Sequence, residues 1–452
     1  MLALHSTENR ELVEGNILQA IIRFAIPLLI GNLFQQLYNT VDSYVVGNYV
    51  STGALAAVGA STPVNNKLVG FFMGLSAGAG VVIAQYFGGE QKKELSDAVH
   101  SSMALTILLS VLFTAAGVLF AEPLLRGIGV PEDVLPYSLL YLKIYFGGIT
   151  FSLIYNIGAG ILRAVGDSRT PLYFLAVACV INIALDLLFV CAFSMGIAGV
   201  GIATVTAQAI SAALVLYKLL RTQDSYRLEL RKIRFHKAVT YRIIAIGFPT
   251  ALQQSVTAFS NVIVQSYINS FGTAIVAAYS ATIRIDGFLM LILQSFNMTI
   301  TTFVGQNFGA GEFRRVKKGI YTSWAVCSVL ILIGAITMNR LAEPLIGIFT
   351  SDAEVIAAGG EMLRMFSFFY IVHPVIQILN GALRGAGHSK VPMYFMLGSF
   401  VVLRQIYLAI AVPRTNSVMA VMFGWPLTWI ICAIGMVVYY LKVDWLPEEK
   451  DM

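Results

Sequence analysis

Long apolar stretches recur from one end of this sequence to the other, and they constrain its fold more than any other feature. Each is long enough, as a helix, to cross a hydrocarbon core of about 30 Å. Hydrophobic residues make up 57% of the chain and charged residues only 12%, whereas a soluble globular chain carries about 25% charged residues. The sequence therefore predicts an all-α polytopic membrane protein embedded in the lipid bilayer.

Twelve transmembrane helices are predicted along the chain. They lie near 16–46, 53–86, 95–120, 133–160, 171–194, 199–221, 241–268, 274–307, 316–340, 354–382, 391–412 and 417–442. Most of the 30 Lys and Arg residues fall on alternate connections, and connections rich in these residues stay on the cytoplasmic side. This distribution predicts a multi-pass protein of the cell (inner) membrane with both termini in the cytoplasm. It also accounts for the net charge of +6 without a nucleic-acid partner.

An internal repeat divides the predicted helices into two halves. Residues 121–125 (AEPLL) recur as 342–346 (AEPLI), and 162–174 match 383–395 at the same shift of 221 residues. Because an even number of helices separates the partners, both halves share one orientation, as in transporters built from parallel repeats. The sequence thus predicts two pseudo-symmetric six-helix bundles. The predicted domains are an N-terminal lobe at 1–221, a cytoplasmic linker at 222–240 and a C-terminal lobe at 241–452.

Buried carboxylates in the apolar helices are the first candidates for function, because a charge at the bilayer centre costs about 3 kcal/mol or more. Asp42 and Asp186 are two such residues. The repeat places Ile263 or Val264 opposite Asp42, and Tyr407 opposite Asp186. The acidic pair therefore belongs to the N-terminal half only.

Polar residues accompany these acids at a spacing of four, which places both members of a pair on one helix face. The pairs are Tyr38 with Asp42, Asn182 with Asp186, and Thr204 with Gln208. If the three faces converge, they form a pocket of carboxylate, amide and hydroxyl oxygens. Two carboxylates close together in low dielectric cannot both ionise easily, and the pocket therefore suits a proton or Na⁺. Alternatively, the aspartates only hold helices together through hydrogen bonds.

Asp286 is a third carboxylate deep in an apolar helix. Arg284 lies two residues before it and faces elsewhere on that helix, and we therefore expect any partner of Asp286 to be Arg404. Pro27 and Pro249 each interrupt the first helix of a half, which removes one backbone hydrogen bond and permits a bend.

Several classes of protein are not supported by the sequence. No Gly-x-x-x-x-Gly-Lys-Ser/Thr loop occurs, and this argues against ATP as the energy source. No paired histidine motif or nucleophile constellation indicates an enzyme, a cofactor or a resident metal. A structural scaffold would not need buried acids in one half only.

The doubled six-helix plan and four motifs resemble the multidrug and toxic compound extrusion (MATE) transporters. The motifs are residues 38–47 with their Val-Asp core, 162–167, 182–186 and 303–311. The resemblance extends over essentially the whole chain. It implies a V-shaped pair of six-helix bundles that exports cationic or amphipathic organic compounds in exchange for H⁺ or Na⁺.

The acids fall where the DinF-like branch of that family carries a cation site in its N-terminal lobe. This similarity implies that the helix bends at Pro27 and that the coupling ion, H⁺ or possibly Na⁺, binds Asp42, Asp186, Asn182 and Thr204. The predicted substrate cavity is lined by Asn156, Tyr38, Gln35, Asp286 and Arg284. The NorM-like branch has a second acidic site in its C-terminal lobe. This chain carries Thr257 and, approximately, His373 there, and we expect that second site to be absent.

The predicted function is that of a monomeric, proton-coupled secondary antiporter for multidrug efflux, working by alternating access. A Na⁺-coupled exporter would use the same oxygens. A flippase for lipid-linked oligosaccharides is a further alternative that needs a strongly cationic cavity. Arg284, Arg364 and Arg404 favour the flippase, whereas the acidic pair favours cationic substrates.

Overall fold

The computed structural model describes residues 10–50 and 52–447, and within these ranges the chain is helical with no strand. Both termini, which the sequence predicts to be cytoplasmic, lie outside the described residues. The α-helices in chain order are α1 (Ile17–Tyr49), α2 (Thr52–Gly88), α3 (Lys92–Gly127), α4 (Leu135–Ala164), α5 (Arg169–Asp186), α6 (Gly196–Arg221), α7 (Lys237–Asn269), α8 (Thr273–Gly309), α9 (Phe313–Arg340), α10 (Ala342–Gly347), α11 (Ala353–Phe369), α12 (His373–Gly385), α13 (Lys390–Leu397), α14 (Arg404–Thr415) and α15 (Val418–Lys442).

Three of the predicted helices are interrupted or extended by other helical geometry. A π-helical segment, Leu187–Ala192, continues α5, and a second one, Gly398–Leu403, joins α13 to α14. A 3₁₀ turn, Tyr370–Val372, joins α11 to α12. With these joins, a helical rod occupies each of the twelve predicted positions, and the predicted all-α fold class is confirmed.

Eleven helical segments of the described chain are long and apolar enough to cross a membrane. The helix missing from this group is α7, although its 33 residues amount to about 50 Å at 1.5 Å per residue. Polar residues such as Gln253 and Gln254 lower its mean hydropathy. The helix predicted at 241–268 is therefore formed as α7, although α7 is not among these eleven segments.

The described chain divides into two compact units. The first contains Ile26–Ala251 and the described residues before Leu12, and the second contains Leu12–Ala25 and the chain from Leu252 onward. Both divisions inside a helix fall within two residues of a proline, Pro27 in α1 and Pro249 in α7. The predicted lobes and linker divide the sequence by its repeat, and their limits stay a prediction.

In the first unit, α4 lies at the centre and packs against α2, α3 and α6. Glycines permit the close contacts, because a Cβ at Gly117 would lie 2.2 Å from the ring of Phe146. In the same way, a Cβ at Gly78 of α2 would lie 2.4 Å from the backbone nitrogen of Gly247 in α7. Close helix packing of this kind is what small residues provide inside membranes.

The connection between α6 and α7 packs onto the first unit. Tyr226 and Leu228 belong to its buried apolar core. The backbone nitrogen of Glu229 donates to His100 Nε2 at 3.0 Å, and that of His236 donates to Ser101 Oγ at 3.1 Å. These contacts fix the connection against α3.

In the second unit, α8 packs against α9, α11 and α12. The contact with α12 is tight, because a Cβ at Gly381 would lie 2.6 Å from the carbonyl oxygen of Asn297. At the chain's start, the Arg315 side chain donates to the carbonyl oxygens of Leu12 at 3.2 Å and Gly15 at 2.8 Å. These bonds attach the segment before α1 to the second unit.

Candidate cation-coupling site

The α5 helix carries the centre of the candidate site. Asn182 and Asp186 lie one turn apart on one face, and both are completely buried, with 0% of their surface exposed. The helix changes to π-helical geometry directly after Asp186. Such π-helical segments are rare and frequently occur at functional sites.

Two other helices complete the site. Asp42 comes from α1 and Thr204 from α6, and both are buried. The Thr204 hydroxyl donates to Asp42 Oδ2 at 3.5 Å. Asp42 also lies close enough to Asp186 and Asn182 to interact with both side chains. The structure therefore brings together the four residues that the sequence predicts as the coupling site.

Most polar atoms of this site have no hydrogen-bond partner among the described residues. They are Asp42 Oδ1, both carboxylate oxygens of Asp186, both polar atoms of the Asn182 side chain and the Tyr38 hydroxyl. Oxygen acceptors predominate in this set. Burying a polar group without a hydrogen-bond partner costs free energy. These oxygens can be satisfied by taking up a proton or by coordinating a cation.

Among the described residues, the two carboxylates of the site have no basic partner. In the described part of the chain, neither Asp42 nor Asp186 forms an ion pair with a Lys, Arg or His residue. A buried negative charge needs compensation in low dielectric. The arrangement is therefore suited to taking up and releasing a positive charge.

Tyr141 is a residue of the site that the sequence reasoning missed. It lies on α4, is buried, and is within electrostatic range of both Asp42 and Asp186. Its ring stacks on Tyr145 with centroids 6.5 Å apart. Tyr141 and Tyr145, two hydroxyl-bearing residues four positions apart in an apolar helix, were the signal in the sequence for this face.

Asn156 and Gln35, two residues predicted for the substrate cavity, lie on different helices of the first unit. The Asn156 amide nitrogen donates to the Ser152 carbonyl oxygen in its own helix at 2.8 Å. Gln35 lies on the exposed surface of α1, two turns before Asp42. Their role in a substrate cavity stays a prediction.

Asp286 lies in the second unit, and the expected pairing with Arg404 is wrong. The Tyr370 hydroxyl donates to the Asp286 carboxylate, whereas Arg404 Nη1 donates to Asn261 Oδ1 at 2.9 Å. No ion pair joins Asp286 to Arg404 among the described residues. The physical reason is that each group already has a different neighbour.

Arg284 lies on an exposed face of α8, with its guanidinium 5.9 Å from the centroid of the Phe349 ring. The structure therefore does not bring it to the carboxylate of Asp286.

Among the residues that the structure describes, no group of three or more His, Cys, Asp or Glu residues could hold a metal ion. Binding of Na⁺ by the oxygens around Asp186 stays a prediction.

Comparison with known proteins settles the family. The family model MatE matches residues 27–188 and 249–410, which lie in the two halves of the repeat. The chain belongs to the MATE family. MATE proteins are membrane transporters and not enzymes, and the assignment to the DinF-like branch stays a prediction.

Two known proteins named for multidrug resistance are similar to this chain over most of its length. The probable multidrug resistance protein YpnP of Bacillus subtilis (strain 168) is 31% identical over 400 residues, which cover 88% of this chain and 89% of the relative. The probable multidrug resistance protein YoeA of the same organism is 28% identical over 377 residues, 80% of each chain.

A solved structure confirms the MATE fold. It is an outward-facing conformation of a multidrug resistance MATE family transporter of the MOP superfamily, with a TM-score of 0.91. The two sequences are 22% identical, and the match covers 97% of this chain and 98% of the other.

Proposed function

We propose that this MATE transporter is a secondary antiporter that exports cationic or amphipathic organic compounds in exchange for H⁺ by alternating access. The names of the two Bacillus relatives support drug-like molecules as its substrates. We also propose that it works as a monomer in the cell (inner) membrane, with both termini in the cytoplasm.

The buried pair of Asp42 and Asp186 carries this proposal. Two close carboxylates in low dielectric favour a state in which they share a proton. Loss of that proton leaves a negative site that attracts a cation, and its return neutralises the site. Proton binding and the binding of a cationic substrate therefore oppose each other, which is the requirement for antiport.

The α1 helix supplies a way to link this charge change to movement. It carries both Pro27 and Asp42, and the proline removes one backbone hydrogen bond from the helix. We propose that protonation of the acidic pair shifts α1 between two bends at Pro27. Because the change is electrostatic, the cycle needs no covalent chemistry.

Na⁺ is the second candidate for the coupling ion. The Asn182 and Thr204 oxygens accompany the two carboxylates, and oxygen ligands of this type suit Na⁺ as well as a proton. A lipid-linked oligosaccharide flippase is less well supported, because it needs a strongly cationic cavity. Of the three arginines that favour it, Arg284 and Arg364 are exposed and only Arg404 is buried.

A transport assay in proteoliposomes tests the proposal. The liposomes contain the purified protein and a cationic dye, and an imposed pH gradient drives dye efflux. We expect Asp42→Asn to stop this efflux and Asp133→Asn, which changes an exposed carboxylate in the same unit, to leave it intact. Unchanged efflux in Asp42→Asn would refute the mechanism. Efflux that follows a Na⁺ gradient and ignores the pH gradient would assign the coupling to Na⁺.

A further inference from the structure

A second buried polar cluster lies in the second unit. We call it the donor cluster and define it as His373, Arg404 and Trp425. Its polar atoms are nitrogens, whereas the acidic pair presents oxygens. Neither the proposed coupling mechanism nor the packing of the helices accounts for it.

Arg404 is the charged member of the donor cluster. It is only 1% exposed and is the first residue after the π-helical segment Gly398–Leu403. Its guanidinium lies 4.1 Å from the centroid of the Trp425 ring, and Nη1 donates to Asn261 Oδ1 at 2.9 Å. Its buried Nε has no hydrogen-bond partner in the described chain. A cation–π contact and one amide bond offset only part of the cost of burying this charge.

The other two members add nitrogens that also have no partner. His373 is 5% exposed, and neither of its ring nitrogens has a hydrogen-bond partner among the described residues. The same holds for the indole nitrogen of Trp425. The rings are connected through Trp429, whose centroid lies 4.3 Å from that of His373 and 6.4 Å from that of Trp425.

These nitrogens make the cluster rich in donors. An indole nitrogen and a guanidinium Nε can only donate, and a neutral imidazole always carries one N–H. Oxygen acceptors are few here: Asn261 is already engaged by Arg404, and Asp286 is engaged by Tyr370. Tyr279 lies within electrostatic range of both Arg404 and Asp286. No described acidic side chain neutralises Arg404.

We propose that the donor cluster binds an anionic group, a carboxylate or a phosphate, of the transported compound. The inference rests on the proposed function as a transporter of organic molecules. A guanidinium donates to such groups with charge-assisted hydrogen bonds, and the adjacent indole ring offers an aromatic surface for the rest of the molecule. The favoured substrates are therefore amphipathic compounds that carry a carboxylate or phosphate on an aromatic frame.

Two matched dyes test this substrate class. Rhodamine B carries a free carboxylate, and rhodamine B ethyl ester has the same fluorophore without that negative charge. Binding of each dye to the full-length protein in detergent is measured by fluorescence anisotropy. We expect Arg404→Gln to weaken binding of rhodamine B by about tenfold to a hundredfold, the range for a hydrogen bond to a charged group. Binding of the ester should change by less than about twofold, since it makes no such bond.

Arg414→Gln is the matched control, because it removes the same charge from an exposed position on the same helix. We expect it to leave the affinity for both dyes unchanged. The inference would be overturned if Arg404→Gln weakened the binding of both dyes equally. It would also be overturned if Arg404→Gln and Arg414→Gln had equal affinity for rhodamine B.

Two milder variants keep the test valid if Arg404→Gln does not fold. Trp425→Phe keeps an aromatic ring and removes the indole N–H, and His373→Gln keeps a polar group and removes the imidazole. Each should weaken rhodamine B binding by about fivefold to tenfold, the effect of one hydrogen bond of about 1 kcal/mol or slightly more. Unchanged discrimination between the dyes in both variants would also overturn the inference.

The source of the anionic group and the proposed function are tested separately. Short-chain phosphatidylglycerol, with phosphatidylcholine of equal chain length as control, is added as a competitor. One outcome is that phosphatidylglycerol displaces rhodamine B, that phosphatidylcholine does not, and that this displacement is lost in Arg404→Gln. It would assign the site to a lipid headgroup and overturn its assignment to the transported compound. Dye binding needs no ion gradient, and the binding result therefore stays interpretable if proton coupling at Asp42 fails. In the same way, the efflux assay at Asp42 stays interpretable if Arg404 does not bind the dye.

Discussion

The two halves of this transporter share a helical plan and carry opposite polar groups. Among the described residues, Asp42 Oδ1, both carboxylate oxygens of Asp186 and the amide oxygen of Asn182 lack hydrogen-bond partners in the first unit. In the second unit, the nitrogens without such partners include Arg404 Nε and both ring nitrogens of His373. Each set lies beside a π-helical segment, which begins after Asp186 in one half and ends before Arg404 in the other. The oxygens favour a positive charge, and the nitrogens favour a negative one.

The repeat teaches which positions serve the fold. Its matched residues include Gly160 with Gly381 and Glu122 with Glu343, at a shift of 221, and these lie at helix contacts or at the ends of helices. Asp186 has no acidic counterpart, because Tyr407 occupies the matching position. Packing is therefore shared between the halves, and the buried charges are not.

The largest expected effect comes from removing one acid at a position where the halves differ. Asp186→Asn leaves a neutral amide of similar size that cannot carry a proton, and we expect efflux driven by a pH gradient to fall to the passive leak of the liposomes. The counterpart Tyr407→Phe should retain the efflux rate of the unmodified protein. The measurement is the initial rate of dye efflux from proteoliposomes.

Equal loss of efflux in both variants would break the comparison. It would show that the position on the fifth helix of each half matters for structure and not for its charge. Thermal unfolding of both purified variants in detergent separates this outcome from simple loss of folded protein.

Much of the fold could be predicted from the sequence, because the length and composition of each apolar stretch decide whether it spans a membrane. The shared face of Asn182 and Asp186 was predictable for a similar reason, since helical geometry alone determines it. The repeat then showed that this face is acidic in one half only. These predictions depend on one helix at a time.

Predictions that depend on two helices were less successful. The apolar character of the stretch placed Asp286 deep in a helix. It contained no information on which neighbouring helix approaches Asp286, and Tyr370 is its partner in place of Arg404. Tyr141 was missed because its closeness to Asp42 depends on how α4 packs. The π-helical segments also depend on packing, and no residue type marks them in the sequence.

A smaller effect is expected at Tyr370, where the second half engages its own acid. Tyr370→Phe removes the hydroxyl that donates to Asp286 and leaves a carboxylate oxygen without this partner. We expect the free energy of unfolding to fall by about 1–3 kcal/mol, measured by titration from mild detergent into dodecyl sulfate. Tyr394→Phe, an exposed tyrosine of the same unit, is the control. If both variants are equally stable, the bond to Asp286 does not contribute to the fold.

The glycine pair tests whether the halves are equally tightly packed. A Cβ at Gly381 would lie 2.6 Å from a backbone oxygen of Asn297, whereas a Cβ at Gly160 would lie 3.2 Å from the flexible hydroxyl of Ser76. We expect Gly381→Ala to destabilise the protein by about 1–3 kcal/mol, the usual cost of overpacking, and Gly160→Ala to cost less. The same unfolding titration measures both. A larger cost at Gly160 would reverse the comparison.

The smallest effects are expected at the glutamates of the repeated Ala-Glu-Pro motif. Glu122 pairs with Arg126 one turn along the same helix at 3.1 Å, whereas Glu343 pairs with Arg364 of α11 at 2.8 Å. All four side chains are about half exposed, and ion pairs of this kind contribute little because water and salt screen them. We therefore expect Glu122→Gln and Glu343→Gln each to leave the Tm in detergent unchanged. A clear decrease for Glu343→Gln alone would show that the link between α10 and α11 is a structural difference between the halves.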